Sequence, residues 1–464
     1  MGAFGLSLAR PCGIPNKNSD CTTILWGRLT SSYLHPPVKT RRSRATCQVT
    51  KRAKLGRILK MNHFLIFGAH PRLSLAEFRA VTSHAPKPLL IGTAALVTEP
   101  VWNGQQLMRR LGGTVKLGDI IEAVSTSKLT GERLLGILPI TSPLQIKGGS
   151  FNFGLTVFGS KALSKLPIEF KRALQSRGIS SRWVTGKDGE AIAPAAVAKL
   201  QLTTKGLDVC IFVDGDMAHI GMATHVQDAN AWSLRDYGRP ARDMSVGMLP
   251  PKLARMMVNL ATPLLPLNNE YGREVILDPF CGSGTILMEA ALATEDTTLL
   301  GSDLQPKQVK ATRSNFDWLL EKKILSTHDK QRLRVFVADA QNLSEQLKPH
   351  SIDRVVTEGT LGPPLRGHES HALLERNVKE ITDLWSATLT ALKPLLASKA
   401  RVVCIWPAFK TTCGIARVDL EPRLTSLGYQ LSDPFEGWNV PAGPLLYHRP
   451  GQKVMRRIVL LRPL

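Results

Sequence analysis

The chain has 464 residues, of which 60 are Lys or Arg and 37 are Asp or Glu, so its formal net charge at pH 7 is +23. This length predicts two or more domains, and the excess of positive charge favours a polyanionic partner, with nucleic acid ahead of a membrane surface. No apolar run approaches the roughly 18 residues of a membrane-spanning helix, so we expect a soluble protein with no membrane partner.

The cysteines argue against a zinc site. They form no CxxC pair and no Cys/His cluster at zinc spacing. We therefore expect no metal and a reducing, cytoplasmic location. The seven cysteines are at positions 12, 21, 47, 210, 281, 404 and 413.

Residues 1–60 form a basic extension that differs from the rest of the chain. They hold 12 of the Lys and Arg residues and a single acid, Asp20, so the remaining chain keeps a net charge of +12. One interpretation is a targeting or RNA-binding tail, because transit peptides are basic, Ser-rich and poor in acids. The other, which we favour, is a disordered segment or an over-long gene start ahead of Met61.

Residues 61–240 carry a mixed α/β pattern. A predicted strand at 62–68 leads into a predicted helix at 73–81, which Ser74 and Glu77 would begin with a capping box. Further strands are predicted at 151–158, 179–184 and 209–213, and further helices at 167–177 and 195–200. Four basic residues lie on or just before the helix at 167–177, namely Lys165, Lys171, Arg172 and Arg177.

A helix that begins at two prolines leads into the C-terminal part of the chain. Pro250 and Pro251 suit a first helical turn, where a missing N–H costs nothing. Four apolar residues then fall on one stripe at helical spacing, which predicts a buried face: Leu253, Met256, Met257 and Leu260.

The most informative segment runs from Asp278 to Thr285. A short apolar run at 275–277 feeds a turn that contains Gly282 and Gly284, and a predicted helix at 286–292 follows. Strand, glycine-rich turn and helix in this order form the cofactor cradle of a doubly wound α/β sheet. Asp278 just before the glycines favours a nucleoside ligand with a cationic part over an anionic pyrophosphate.

Acidic residues follow each of the next three predicted strands. Asp303 comes after the strand at 298–301, and at about 25 residues beyond the glycine turn it is placed to accept ribose hydroxyls. Asp339 follows the strand at 334–337, and Glu358 follows the strand at 352–357. A strand at 401–406 and a hairpin formed by 445–448 and 456–461 complete the predicted sheet. Trp406 either covers a bound base or belongs to the core.

Three segments carry a resemblance to a known family. Residues 278–285 resemble the first motif of amino-group methyltransferases that act on nucleic acid. Residues 68–77 and 226–240 resemble the start, and the approach to the catalytic domain, of THUMP-containing tRNA methyltransferases that modify the N2 of guanosine at position ten. The resemblance covers roughly residues 61–464 and suggests a divergent, bacterial-type subgroup.

The resemblance implies a two-part α/β protein. Residues 61–240 would be an N-terminal module with a THUMP-like RNA-binding region. Residues 241–464 would be a Rossmann-like class I methyltransferase domain, with a seven-stranded sheet that ends in an antiparallel hairpin. The implied partner is tRNA, and the need for a small activating subunit is left open. The implied cofactor is S-adenosyl-L-methionine, held by Asp278, Pro279, Phe280, Cys281, Gly282, Ser283, Gly284, Asp303 and Asp339.

The segment after the fourth strand departs from the family pattern. Amino methyltransferases place Asp or Asn, two prolines and an aromatic residue there, so that a side chain and a carbonyl accept hydrogens from the amine. This chain has Glu358 at the acid and Gly362 at the following glycine, while residues 359–361 replace the Pro-Pro-aromatic part. We expect Glu358, Leu361 and Gly362 to be catalytic, with the target base leaving its stack.

Two alternatives stay open beside N2-methylation of a guanosine in tRNA. A DNA methyltransferase acting on the amino group of adenine or cytosine would share the glycine turn. A non-catalytic RNA-binding homologue would keep the fold and would account for the altered residues 359–361.

Overall fold

The computed structural model describes residues 61–464 with the exception of 83–85, 99–102, 141–150, 188–189, 243–247, 263–272, 366–368 and 412–413. The two interpretations of residues 1–60 lie outside the described residues. Contacts between residues group Leu59–Leu464 into one unit, which contains every element described below. The domain boundaries predicted after residues 60 and 240 stay predictions.

An eight-stranded sheet occupies the first half of this unit. Its spatial order is β2-β3-β1-β4-β8-β7-β5-β6, and its pairs are antiparallel except β5 with β6 and β5 with β7. Apolar and aromatic residues dominate these strands, as strand formation requires. The strands are β1 (His63–Phe67), β2 (Leu89–Ile91), β3 (Ala94–Val97), β4 (Thr114–Ser125), β5 (Phe151–Phe158), β6 (Ser181–Val184), β7 (Leu207–Asp214) and β8 (Met217–Val226).

Among the residues that the structure describes, six α-helices accompany this sheet and five belong to the second half of the unit. The helices predicted at 73–81, 167–177, 195–200 and from 250 onward are confirmed with small shifts of their ends. The helices are α1 (Pro71–Val81), α2 (Gly104–Arg110), α3 (Gly131–Ile137), α4 (Leu166–Ser176), α5 (Pro194–Lys199), α6 (Ala229–Tyr237), α7 (Pro251–Leu260), α8 (Thr285–Ala293), α9 (Pro306–Glu321), α10 (Thr327–Gln331) and α11 (His371–Leu392).

The predicted capping box at the start of α1 is wrong. The helix begins at Pro71, so Ser74 lies inside its first turn and donates to the carbonyl oxygens of His70 and Gly113, each at 3.0 Å. The Glu77 carboxylate accepts from the backbone N–H groups of Gly112 and Gly113 instead, at 2.7 and 2.8 Å. Proline at the first position starts the helix one turn earlier, and burial directs both polar side chains to another loop.

A nine-stranded sheet forms the second half. Its continuous path is β11-β10-β9-β12-β13-β17-β15, with β14 beside β13 and β16 beside β17. The strands β9 to β13 run parallel, and the pairs that β17 makes with β13, β15 and β16 are antiparallel. The strands are β9 (Val275–Asp278), β10 (Thr298–Asp303), β11 (Leu333–Val337), β12 (Ile352–Thr357), β13 (Leu396–Thr411), β14 (Gly414–Arg417), β15 (Tyr429–Leu431), β16 (Leu445–Tyr447) and β17 (Val454–Pro463).

The predicted methyltransferase-like sheet agrees with this path. All five parallel strands lie at their predicted positions, and the predicted hairpin is formed by β16 and β17. The continuous path has seven strands, but β14 and β16 raise the count to nine rather than the predicted seven. The hairpin is also not the end of the path, because β17 lies between β13 and β15.

One apolar core joins the two halves. It contains Leu73 and Phe78 of α1, Leu253 and Met257 of α7, and Leu287 of α8, all at most 1% exposed. The predicted apolar stripe of α7 is confirmed, since its four members are buried. In the described part of the chain, no helix has both the length and the hydropathy to cross a membrane.

Candidate functional site

The glycine-rich turn after β9 opens onto a cavity of about 850 Å³. Gly282 has a φ of +50°, and a Cβ added there would meet nothing closer than 4.0 Å, so its backbone faces open space. The turn ends at Gly284, whose φ of +82° begins α8 from the left-handed region. A positive φ strongly favours glycine at both positions.

The structure brings nearly all the predicted site residues to this one cavity. Gly284 is the exception, because it is buried under the turn, where an added Cβ would lie 2.8 Å from Thr312 Cγ2. Gly284 therefore permits the turn to pack against α9. The predicted residues that line the cavity are Asp278, Pro279, Phe280, Cys281, Gly282, Ser283, Asp303, Asp339, Glu358, Leu361 and Gly362.

Asp278 is a buried carboxylate at the end of β9. Its Oδ1 accepts from the Thr357 hydroxyl at 2.7 Å and from the Phe280 N–H at 3.2 Å. Burial raises the pKa of Asp278 to about 7, against the effect of these hydrogen bonds, and the charges of Asp303 and Glu358 raise it further. The group is thus poised between its neutral and charged forms near neutral pH.

Asp303 and Asp339 occupy the ends of β10 and β11. Asp303 supports the turn, since its Oδ2 accepts from the Gly282 N–H at 3.0 Å and its Oδ1 from the Gln305 N–H at 2.9 Å. Asp339 accepts from the Gln341 N–H at 2.9 Å. Both side chains line the cavity. Two acids on adjacent strand ends can accept hydrogens from a nucleoside.

Glu358 lies just past β12 and is paired with a residue that sequence reasoning missed. Arg456 Nε donates to Glu358 Oε1 at 2.6 Å, and the two side chains are 5% and 11% exposed. Burial raises the pKa of Glu358, and the Arg456 charge acts against that rise. The available signal was a pair of arginines, Arg456 and Arg457, inside an apolar strand.

The first of the altered residues 359–361, Gly359, adjoins the ring of Trp385. A Cβ at Gly359 would lie 3.0 Å from Trp385 Cζ2, so the indole ring fills the space where a larger residue would stand. Phe280 lines the cavity, and its ring centroid is 5.8 Å from that of Trp385. Trp406 is fully buried and belongs to the core, so of its two predicted roles the core role is confirmed.

Other lining residues come from segments that sequence reasoning did not assign to the site. Two precede α7, and three belong to the turn between β16 and β17. These are Met248, Leu249, Gly451, Gln452 and Lys453. The three turn residues are far from residue 278 in sequence, and only the tertiary fold brings them to the cavity.

The cavity chemistry fits a cationic nucleoside. Its volume lies in the usual range for small-molecule sites, and its wall carries four carboxylates. Burial raises the pKa of the Cys281 thiol, which therefore stays protonated. Among the described residues, no group of three His, Cys, Asp or Glu side chains is arranged to hold a metal ion.

Comparison with known proteins finds similarity to methyltransferases both in sequence and in solved structures. Residues 239–416 match the RMKL-like methyltransferase domain. A tRNA (guanine(10)-N2)-dimethyltransferase of Methanocaldococcus jannaschii is 28% identical over 213 residues, which are 44% of this chain and 54% of that protein. The protein of the same name from Methanothermobacter thermautotrophicus is 34% identical over 116 residues, 25% of this chain and 28% of that protein. The crystal structure of TrmN from Thermus thermophilus gives a TM-score of 0.48 at 18% identity, covering 87% of this chain and 100% of the other.

The chain thus spans about half or less of the length of the curated relatives it matches. Residues 239–416 are a methyltransferase domain, and S-adenosylmethionine is the cofactor of such a domain.

Proposed function

We propose that this chain is an S-adenosylmethionine-dependent RNA methyltransferase that methylates the exocyclic N2 of a guanosine in tRNA. The observation that carries the proposal is the convergence of Asp278, Asp303, Asp339 and Glu358 on one cavity. They lie at the ends of β9, β10, β11 and β12, where ligands of open α/β sheets bind. The names of the two archaeal relatives support the choice of tRNA and of N2.

Each acid has a distinct part in this proposal. Asp303 and Asp339 accept hydrogens from the nucleoside part of the cofactor, and Asp278 and the turn at 279–283 hold its amino acid part. The cofactor supplies an electrophilic methyl group. Glu358 accepts a hydrogen bond from the guanine amine and so orients the nitrogen lone pair toward the methyl group. This orientation raises the rate of transfer, because the reacting atoms are already aligned.

The basic residues of the N-terminal half support RNA as the substrate. Lys165, Lys171, Arg172 and Arg177 are exposed on or beside α4. Arg177 also lies 3.8 Å from Glu132, a contact that is too exposed to hold it firmly. Double-stranded RNA hides its base edges in a deep groove, so proteins grip its phosphates and shape with such side chains.

Mass spectrometry of nucleosides tests the proposal. Unmodified tRNA transcripts and duplex DNA are each incubated with the protein and methyl-labelled cofactor, and we expect label in N2-methylguanosine from tRNA alone. Glu358→Ala should lose transfer while it still binds the cofactor in a calorimetric titration. Glu345→Ala, which changes an exposed acid outside the cavity, is the matched control. Label in DNA adenine or cytosine would contradict the proposal.

A non-catalytic RNA-binding role is the second candidate. Residues 359–361 lack the usual prolines and aromatic residue, which favours it. Calorimetry with S-adenosylmethionine separates the two roles, because a pure RNA binder gives no heat with the cofactor at micromolar protein concentration.

A further inference from the structure

Two consecutive arginines of β17 serve opposite faces of the sheet. Arg456 lines the cavity and meets Glu358, whereas Arg457 pairs with Glu421 and lies 3.9 Å from Asp419. Successive residues of a strand point to opposite sides, so the two contacts follow from the strand itself. They provide a functional candidate and a matched control side by side.

The contact between Arg456 and Glu358 is nearly buried and joins β17 to the end of β12, across the intervening β13. Arg456 lies on β17, opposite Pro407 of β13 and Tyr447 of β16. Its Nε donates to Glu358 Oε1 at 2.6 Å, and its Nη2 approaches the Met248 carbonyl oxygen at 3.5 Å. Arg456 is thus held by the two strands beside it and by the Met248 carbonyl, and it fixes the carboxylate in turn.

The contact with Arg456 uses only one of the two carboxylate oxygens of Glu358. In the hydrogen bonds of the described residues, Oε1 accepts from Arg456 and Oε2 takes no part. The side chain lines the cavity and keeps 11% exposure. A carboxylate held by one oxygen presents the other in a defined direction, as an acceptor for a substrate N–H must be presented.

Acidic side chains outnumber basic ones around the cavity. Four carboxylates line it, belonging to Asp278, Asp303, Asp339 and Glu358, while the lining cations are Lys453 and Arg456. Burial and neighbouring acids favour the neutral form of a carboxyl group. Arg456 is the cation in direct contact with Glu358, and its charge and hydrogen bond oppose the rise that burial causes in the pKa of that carboxyl group.

We propose that Arg456 is a positioning residue, which keeps Glu358 ionised and directs its free oxygen to the substrate amine. This inference rests on the proposed function, since the amine is that of the target base. A neutral carboxyl group would be a weaker acceptor and would bring a proton to the wrong place. No atom is transferred to or from Arg456.

The test compares Arg456→Met, Arg456→Lys and the control Arg457→Met. The first readout is the pH at which Glu358 takes up its proton, followed by carbon NMR of protein labelled at the glutamate carboxyl carbon. Glu358→Gln identifies the signal. This readout needs no substrate. The second readout is the pH profile of kcat/KM for methyl transfer into tRNA transcripts.

We expect Arg456→Met to move the Glu358 titration and the acidic limb of the profile to higher pH. Each unit of that shift lowers the ionised fraction, and with it the rate below the pKa, about tenfold. Arg456→Lys should restore most of the wild-type profile, and Arg457→Met should leave it unchanged. Cofactor binding by every variant shows that the site is folded.

An Arg456→Met protein with the wild-type titration and profile would overturn the inference, and so would an equal shift in Arg457→Met. Failure of the proposed function looks different: the wild type would bind cofactor and methylate no tRNA. In that case an unshifted Glu358 titration still refutes the role of Arg456 in ionisation, and a shifted one sustains it.

Discussion

The Thr357 hydroxyl donates a hydrogen bond to Asp278 Oδ1 at 2.7 Å and so joins the ends of β12 and β9. These neighbours mark the point where the strand order of the sheet reverses, from β11-β10-β9 on one side to β12-β13 on the other. Ligands of open α/β sheets bind in the crevice at such a point. The bond therefore holds Asp278, the acid predicted to bind the cofactor, against the residue that directly precedes Glu358.

Asp278→Asn should remove a pH dependence of stability in the ligand-free protein. The folded-state pKa of Asp278, about 7, lies above its ordinary value because of burial, so the native state binds more protons than the unfolded state between about pH 4 and 7. Stability from this group therefore falls as pH rises through that window. Relative to the variant, the wild type should lose roughly 2–4 kcal/mol of unfolding free energy between pH 4 and 8.

Urea unfolding at several pH values measures this difference. The amide side chain of the variant would keep an oxygen for Thr357 and Phe280, so the turn itself should survive. Asp339→Asn makes the same change at a half-buried acid of the same cavity and serves as the matched control. Parallel curves for Asp278→Asn and wild type would show that Asp278 is ionised throughout.

Cofactor binding should release a proton near pH 7. A cationic ligand against the Asp278 carboxyl group favours its charged form, so the pKa falls on binding from its ligand-free value of about 7, and the affinity rises with pH up to about pH 7 and levels off above it. Calorimetry in buffers of different ionisation enthalpy detects the proton. Equal heats in all buffers would argue that the cationic part of the ligand lies elsewhere.

Gly284→Ala should destabilise the domain more than Gly282→Ala. Both residues have positive φ, a strain of about 1 kcal/mol for alanine, but only at Gly284 would the methyl group meet Thr312, at 2.8 Å. We expect a loss of about 2–4 kcal/mol for Gly284→Ala. Gly136→Ala in α3, where nothing lies within 4 Å, is the control and should be neutral or stabilising.

Cofactor binding should be weakened more by Gly282→Ala than by Gly284→Ala, the reverse of their effects on stability. Gly282 faces the cavity, so its methyl group should weaken cofactor binding in a folded protein. Gly284→Ala should bind normally below its lower melting temperature. Thermal unfolding with and without cofactor separates these outcomes, and weaker binding confined to Gly284→Ala would contradict the assignment.

Glu77→Ala should loosen the junction between the two halves. Glu77 Oε1 accepts from the Gly112 N–H and from Asn259 Nδ2, each at 2.7 Å, and Oε2 accepts from the Gly113 N–H. The alanine variant leaves these buried donors without an acceptor, a cost of roughly 3 kcal/mol or more. Glu122→Ala removes a half-exposed acid paired with Arg133 and should change stability by less than about 1 kcal/mol.

Hydrogen exchange of the Gly112 and Gly113 amides adds a local readout for Glu77→Ala. Faster exchange there, with unchanged protection in β9 and β10, would locate the effect at the junction. A uniform change throughout the chain would show that the acid acts on global stability instead.

Local pattern in the sequence was enough for the parallel strands and for the glycine turn. An apolar run of strand length followed by Asp278 and two glycines predicts a strand and then a tight turn. An acid that directly follows an apolar run marks the end of the strand, because the buried part of the strand is apolar. For that reason the sequence alone predicts that one edge of a sheet carries Asp303, Asp339 and Glu358. Ser74 and Glu77 were misread because a capping box and a buried tertiary contact use the same residue types.

The tertiary structure alone decided the partners of those residues. Arg456 is 98 residues from Glu358 in sequence, and no local periodicity relates them. Their contact exists because β17 inserts antiparallel between β13 and β15, and that register is set by packing over the whole sheet. Backbone conformation is a short-range property of a sequence, whereas the ionisation of Glu358 depends on charges that only the closed fold brings near.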